Sequence, residues 1–168
     1  MDVSIRPLDG EADATAFRAL NEEWISSRFS IEDEDRRQLD DPRAAYIAPG
    51  GQILLAEAGG RVIGCVAIVP DGTGAWELSK MAVAPDERGR GTGRRLLEAG
   101  IVVARESGAR SIFLGSSTKL VEAVHLYEAV GFSHVAPDAL HMPYDRADVF
   151  MQLILDGPGS AGAAERFI

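Results

Sequence analysis

The chain has 168 residues, 46% of them hydrophobic and 26% charged, which fits one globular domain and excludes a disordered or fibrous chain. Its formal charge of −9 excludes a general nucleic-acid binder, which needs a net cationic face. No run approaches the roughly 20 apolar residues that cross a bilayer. "MDVSIRPLDG" lacks the basic and apolar parts of a signal peptide, and the lone Cys65 rules out an internal disulfide or a clustered-cysteine metal site. A soluble cytoplasmic protein with no metal, no membrane partner and no nucleic-acid partner is expected.

"VSIRPL" predicts a short strand closed by Pro7. From Glu11 to about Arg28, the residues Ala16, Phe17, Leu20, Trp24 and Ile25 recur at helical spacing. "SIEDEDRRQLDDPRAAY" follows as a second short helix or an ordered loop. Three extended runs come next, "QILLAEA", "RVIGCVAIVP" and "AWELSKMAVAP", separated by "GG" and "DGTG", and they predict an antiparallel meander. Cys65, in the second run, reads as a small buried hydrophobe, not a catalytic thiol. Alternation along the third run puts Glu77, Ser79, Met81 and Val83 on one face.

Pro85 ends that run, and "GRRLLEAGIVVARESG" predicts a helix with Leu96, Leu97, Gly100, Ile101 and Ala104 on one face, stopped by Gly108. "RSIFLGSS" reads as a buried strand, "TKLVEAVHLYEAVG" as a helix running from a Thr118 cap to Gly131, and "ADVFMQLIL" as a last strand. Strand, helix, strand implies a right-handed crossover and a parallel pair, hence an α/β fold with a mixed sheet. Residues 1–155 are expected to form one domain and 156–168 a mobile tail, whose Phe167 and Ile168 leave docking on a neighbour, and a homodimer, open.

Between the third run and its helix, "RGRGTGR" offers Gly89, Gly91 and Gly93, whose bare backbone lets N–H groups approach a ligand at a helix N-terminus. From Lys80 to Arg95 there are five cations (Lys80, Arg88, Arg90, Arg94, Arg95) against Asp86 and Glu87, so the local sign opposes the global one. A phosphorylated ligand fits. A P-loop would need a lysine followed by serine or threonine at the helix start, and a dinucleotide fingerprint a glycine where Arg94 stands.

"ELSKMAVAPDERGRGTGRRLLEAG" resembles the pyrophosphate-binding segment of the GNAT superfamily of acyl-CoA-dependent N-acetyltransferases, its pattern falling on Arg88, Gly91 and Gly93 after Val83 and Pro85. "EAVHLYEAVGF" is similar to the family's later helix at Ala123, Leu126, Tyr127, Gly131 and Phe132. The resemblance covers Ile53 to Val135. It implies a mostly antiparallel sheet flanked by helices, with a splayed parallel strand pair that admits acetyl-CoA. Met81, Ala82, Val83, Arg88, Gly89, Arg90, Gly91, Thr92, Gly93, Arg94, Ser117 and Tyr127 are then expected to bind the cofactor. Where the family often has an asparagine, this chain has Leu120, so Ser116, Ser117 or Thr118 must supply the polar contact.

Acetyl transfer to an amine requires a base, a stabilised oxyanion and an acid for the departing thiolate. The resemblance assigns Glu77 as base and backbone N–H groups of Met81 or Val83 to the oxyanion. Tyr127, on an inward helical face with Leu120, Ala123 and Val124, is the expected acid; a phenol of pKa near 10 keeps its proton at neutral pH. His125, His134 and His141 have no nucleophile beside them in a recognisable arrangement. The acceptor groove is expected between "NEEWISSRFSIEDEDRR" and "HMPYDRADVF", with Trp24, Phe29, Glu77 and Tyr144 contacting substrate. Glu22, Glu23, Glu32, Asp33, Glu34 and Asp35 there read as a solvated face or as an attraction for a cationic amine. "PYDRADVFMQL" resembles the end of a bacterial subgroup of the family. The rival reading is a non-catalytic acyl-CoA sensor.

Overall fold

A computed structural model describes residues 2–136 and 145–155 of the chain. The elements run β1 (Ser4–Pro7), α1 (Glu11–Arg28), α2 (Asp33–Asp40), a π turn (Arg43–Ile47), β2 (Gln52–Ala58), β3 (Arg61–Pro70), β4 (Ala75–Val83), a 3-10 turn (Pro85–Glu87), α3 (Thr92–Glu106), β5 (Ser111–Ser116), α4 (Val121–Val130), β6 (Ser133–His134) and β7 (Val149–Ile154). Tyr144, His141 and the 156–168 tail lie outside the described residues.

The alternating apolar runs pair as a seven-stranded sheet in the order β1-β2-β3-β4-β5-β7-β6. Every neighbouring pair is antiparallel except β4–β5, so the expected mixed, mostly antiparallel α/β fold is the one that forms. The parallel pair is short: Ala75, Trp76 and Glu77 lie opposite Ser111, Ile112 and Phe113. β4 then continues to Val83 and β5 to Ser116 without pairing to each other. The strands splay, as expected, and a cleft opens between their C-terminal ends.

Each face of the sheet carries its own apolar layer. On one, Leu96, Leu97 and Ile101 of α3 pack on Val66, Leu78 and Ile112. On the other, Phe17 of α1, Leu39 of α2 and Tyr46 cover Leu55, Cys65 and Ala67. Burying one such large side chain is worth roughly 1.5–3 kcal/mol, so both helical layers are held firmly to the strands that frame the cleft. Close approach fixes Gly51, where an added Cβ would come within 2.3 Å of the Ile68 carbonyl oxygen.

β4 departs from simple alternation. Ala67 of β3 lies opposite Ser79 and Cys65 opposite Ala82, so two β4 residues, Lys80 and Met81, face the single Val66. Lys80 takes the left-handed φ of 56°. This is a β-bulge, and one extra residue flips every later side chain to the other face. Met81 and Val83 therefore pack with Trp76 and Leu78 on the α3 side. Lys80 and Ala82 turn towards α1 and α2, where Lys80 meets Asp35. The predicted single face of Glu77, Ser79, Met81 and Val83 is corrected accordingly.

Thr118 is not the cap of α4 either. The helix starts at Val121 from Leu120, while the Thr118 amide and hydroxyl donate to Asp148 at 2.8 and 3.0 Å. Gly131 does end α4, with φ 118°.

Candidate active site

The splay forms a cleft of about 510 Å³ whose floor is β4 from Glu77 to Val83. Ser116, Ser117 and Leu120 line one wall, and Tyr127 of α4 lies behind them. Trp24 of α1 and Phe29, just past its end, close the other side. Glu77, Met81, Ala82, Val83, Arg88, Ser117, Tyr127, Trp24 and Phe29 are thus brought together in one cavity, whereas Gly89, Arg90, Gly91, Thr92, Gly93 and Arg94 are not in its lining. Thr118 is turned to Asp148 and contributes nothing to the lining.

The glycine loop adjoins the Val83 end of this cleft. Gly89 and Gly91 have φ of 81° and 83°, with nothing within 4 Å of where a Cβ would stand. Gly91 caps α3 through backbone alone, without a side-chain hydrogen bond. The first amides of an α-helix have no intrahelical acceptor and lie at the positive end of its dipole. Here those donors belong to Thr92, Gly93 and Arg94, the kind of donor set that an anion takes at a helix start.

Of the five cations counted in sequence, two serve elsewhere. Lys80 is buried against Asp35, and Arg95 donates to the Val3 carbonyl at 2.7 Å, away from the loop. Arg88 donates to the Val83 carbonyl at 3.0 Å and pairs with Glu23 of α1 at 2.9 Å. Arg90 and Arg94 are exposed, paired with Glu87 at 3.5 Å and Glu98 at 3.1 Å. Both are pairs of the kind that contribute little, about 0–1 kcal/mol, and so are easily exchanged for a ligand.

Glu77 is partly buried beside the bulge. Burial raises its carboxyl pKa, Lys80 opposing the shift. Burial also pushes the Tyr127 phenol up to about 12. Among the described residues its hydroxyl has no hydrogen-bond partner, although the ring is only 8% exposed and packs 5.8 Å from Phe132. An inward phenol that keeps its proton at every physiological pH is suited to donating, not to accepting.

Beneath the cleft lies a network that was not anticipated. Lys80 Nζ donates to Asp35 at 2.9 Å, with side-chain exposures of 2% and 0%. Arg146 grips the same carboxylate with both nitrogens, at 2.7 and 2.8 Å, and reaches Glu32 at 3.2 Å. Its guanidinium also lies 5.9 Å from the Trp24 ring centre and 6.0 Å from that of Phe29. Burial raises the Asp35 pKa, but Arg146 and Lys80 outweigh it and hold the carboxyl at about 2. For Lys80 burial prevails and lowers the ammonium pKa. The sequence does carry one signal for this: alternation sets Lys80 between Leu78 and Ala82, on buried positions.

Five of the six acids of that run are paired with arginines. Glu22 pairs with Arg18, Glu23 with Arg88, Glu34 with Arg37, and Glu32 and Asp35 with Arg146. None of these carboxylates lines the cleft. Cys65 is buried as expected, its thiol pushed by burial up to about 12 and donating to the Lys80 carbonyl at 3.4 Å.

A splayed parallel pair and a glycine loop leading into a helix, beside a cleft lined by Glu77 and Tyr127, define an α/β protein with a split sheet. Residues 16–132 match the Acetyltransferase (GNAT) family, and the chain belongs to that family. It is 30% identical over 159 residues to an uncharacterized N-acetyltransferase of Schizosaccharomyces pombe, covering 90% of this chain and 94% of that one. Its fold is similar to that of a GNAT-family acetyltransferase from Staphylococcus aureus Mu50, with a TM-score of 0.85 at 20% identity over 92% of this chain and 100% of the other. The yncA protein of Salmonella typhimurium, whose structure holds its cofactor acetyl-CoA, is 28% identical with a TM-score of 0.73 over 94% and 96% of the two chains. The first curated relatives are longer, and the chain spans 50% of one and 36% of another.

Proposed function

We propose that the protein moves an acetyl group from acetyl-CoA to a primary amine by direct attack in a ternary complex. The observation that carries this reading is the convergence of Glu77 and Tyr127 on one cleft that opens where β4 and β5 part. Acetyl-CoA enters as substrate. The α3 amides after Gly91, with Arg88, Arg90 and Arg94, meet its pyrophosphate, and Met81 to Val83 and Ser117 line the path of its pantetheine arm.

The acceptor amine lies between Trp24, Phe29 and Glu77. Its neutral nitrogen attacks the thioester carbon, the N–C bond forms, and the nitrogen's proton passes to Glu77 directly or through one water. The carbonyl oxygen, anionic in the tetrahedral intermediate, meets N–H groups of Met81 or Val83, on the stretch of β4 with no β5 partner. The C–S bond then breaks, the sulfur takes the Tyr127 proton, and solvent carries the proton on Glu77 back to the phenolate. Amide and free thiol leave, and both side chains are reset.

The retained acid and base favour catalysis over an acyl-CoA sensor. Tyr127→Phe is the test: turnover is expected to fall by about 10²-fold with acetyl-CoA binding kept, as for loss of one acid–base group. Unchanged turnover would remove Tyr127 from the reaction. Acetyl-CoA binding without thiol release from any amine would establish the sensor.

A further inference from the structure

We infer that the acceptor carries a carboxylate near its amine, as an amino acid does, and that Arg28 and Lys119 bind that carboxylate. The inference rests on the transfer reading above and adds the acceptor's class.

The two cations come from opposite walls of the cleft, and the Arg28 side chain touches the backbone that carries Lys119. Arg28 ends α1, Lys119 sits in the β5–α4 connection, and Arg28 Nη1 lies 3.3 Å from the Lys119 carbonyl oxygen. Lys119 Nζ lies 5.3 Å from the centre of the Phe29 ring, and the Arg146 guanidinium shares that ring and the neighbouring Trp24. Both Arg28 and Lys119 line the cleft. Among the described residues neither forms an ion pair, whereas Arg88, Arg146 and Lys80 all have carboxylate partners. In a chain with nine excess negative charges, two unmatched cations held together beside aromatic rings are a local reversal of sign. An anion that reaches both side chains gains charge-assisted hydrogen bonds from each.

The acids that were to attract a cationic amine point the same way by being spent. Glu32 and Asp35 neutralise Arg146 and Lys80, and Glu23 neutralises Arg88. The lining keeps Glu77, for the amine, and Glu122 at the start of α4. A polycationic acceptor finds little to hold it, whereas an amine with an adjacent carboxylate finds Glu77 at one end and Arg28 with Lys119 at the other.

A phosphate of coenzyme A offers the same oxyanion chemistry, so the experiment separates the two sources. Steady-state rates of thiol release are measured for amino acids, their carboxamides and the corresponding decarboxylated amines, in wild type and in Arg28→Gln/Lys119→Gln. Calorimetric binding of the same compounds to the coenzyme A complex runs in parallel. In wild type the acids are expected to exceed the amides about tenfold in kcat/KM and in affinity, the double variant to bring both ratios to within about twofold of one, and 0.5 M salt to shrink them. Equal use of acids and amides, or preference for cationic amines, would overturn the inference while leaving transfer intact. A raised KM for acetyl-CoA with acceptor ratios unchanged would assign the cations to the coenzyme and overturn it too. If no compound releases thiol yet acids bind more tightly than amides, the transfer reading fails and carboxylate recognition stands; with neither turnover nor a binding preference, both fail.

Discussion

At the scale of single residues, the site separates groups that act from groups that hold the floor in place. Glu77 is a carboxyl whose pKa burial has raised, which suits a base and costs stability. A raised carboxyl pKa means the folded chain binds the proton more tightly than the unfolded one, so stability falls as pH rises through the window between the two values. Glu77→Gln is therefore expected to lower kcat/KM by about 10²–10³-fold, to abolish the rising acid limb of the pH–rate profile, and to raise Tm by on the order of 2 °C at neutral pH. A profile unchanged by the substitution would exclude Glu77 as the base. Asp35 has the opposite sign: its folded pKa of about 2 lies below the usual carboxylate value of about 3.9, so its contribution is present above that value and lost as pH falls towards 2. Asp35→Asn removes the carboxylate that both Lys80 and Arg146 grip, a loss of about 3–5 kcal/mol, read as a fall in Tm of roughly 10 °C. A variant as stable as wild type would show that the network is not what anchors β4 to α2.

At the scale of elements, the proposed function divides the work of the β4–loop–α3 unit: the loop to hold the phosphates, the splayed strand to present the acetyl group. Gly91→Asp tests the loop. The space at Gly91 is open, but φ is 83° and the new carboxylate stands among the α3 amides, so acetyl-CoA Kd is expected to rise at least about tenfold at a stability cost near 1 kcal/mol. Titration of the folded variant with acetyl-CoA reads it, and an unchanged Kd would contradict phosphate binding there. This unit was legible because its information is local: glycines, prolines and helical spacing fix the strand, turn and helix within a few residues of each other. α1 and the meander were legible for the same reason. The bulge at Lys80 was not, because both faces of β4 are buried, and burial alternates without a break while the side chains change layers. Arg146 meets Asp35 across 111 positions, and Thr118 bonds Asp148 across 30. Pairings of that range leave no periodic trace in a sequence, and the apparent helix cap at Thr118 was a local pattern overridden by one of them.

At the scale of the whole molecule, a strongly acidic chain lines its cleft with two cations, Arg28 and Lys119, that form no ion pair among the described residues. Its acidic α1–α2 region is an internal framework of ion pairs, tying α1 to the glycine loop through Glu23–Arg88 and α2 to the segment before β7 through Asp35–Arg146. Acetyl-CoA at about 100 times its Kd should stabilise the fold by about 2.7 kcal/mol and raise Tm by roughly 5–10 °C. Among the described residues no helix is long and apolar enough to cross a membrane. The central claim is that this fold transfers an acetyl group as well as binding its donor. The most direct test is free-thiol release from acetyl-CoA by the wild-type chain and by Glu77→Gln, with and without a panel of primary amines. Release that requires an amine and falls at least about 10²-fold in the variant is the predicted result. Acetyl-CoA binding with no amine-dependent release, or equal release by the two chains, would contradict it.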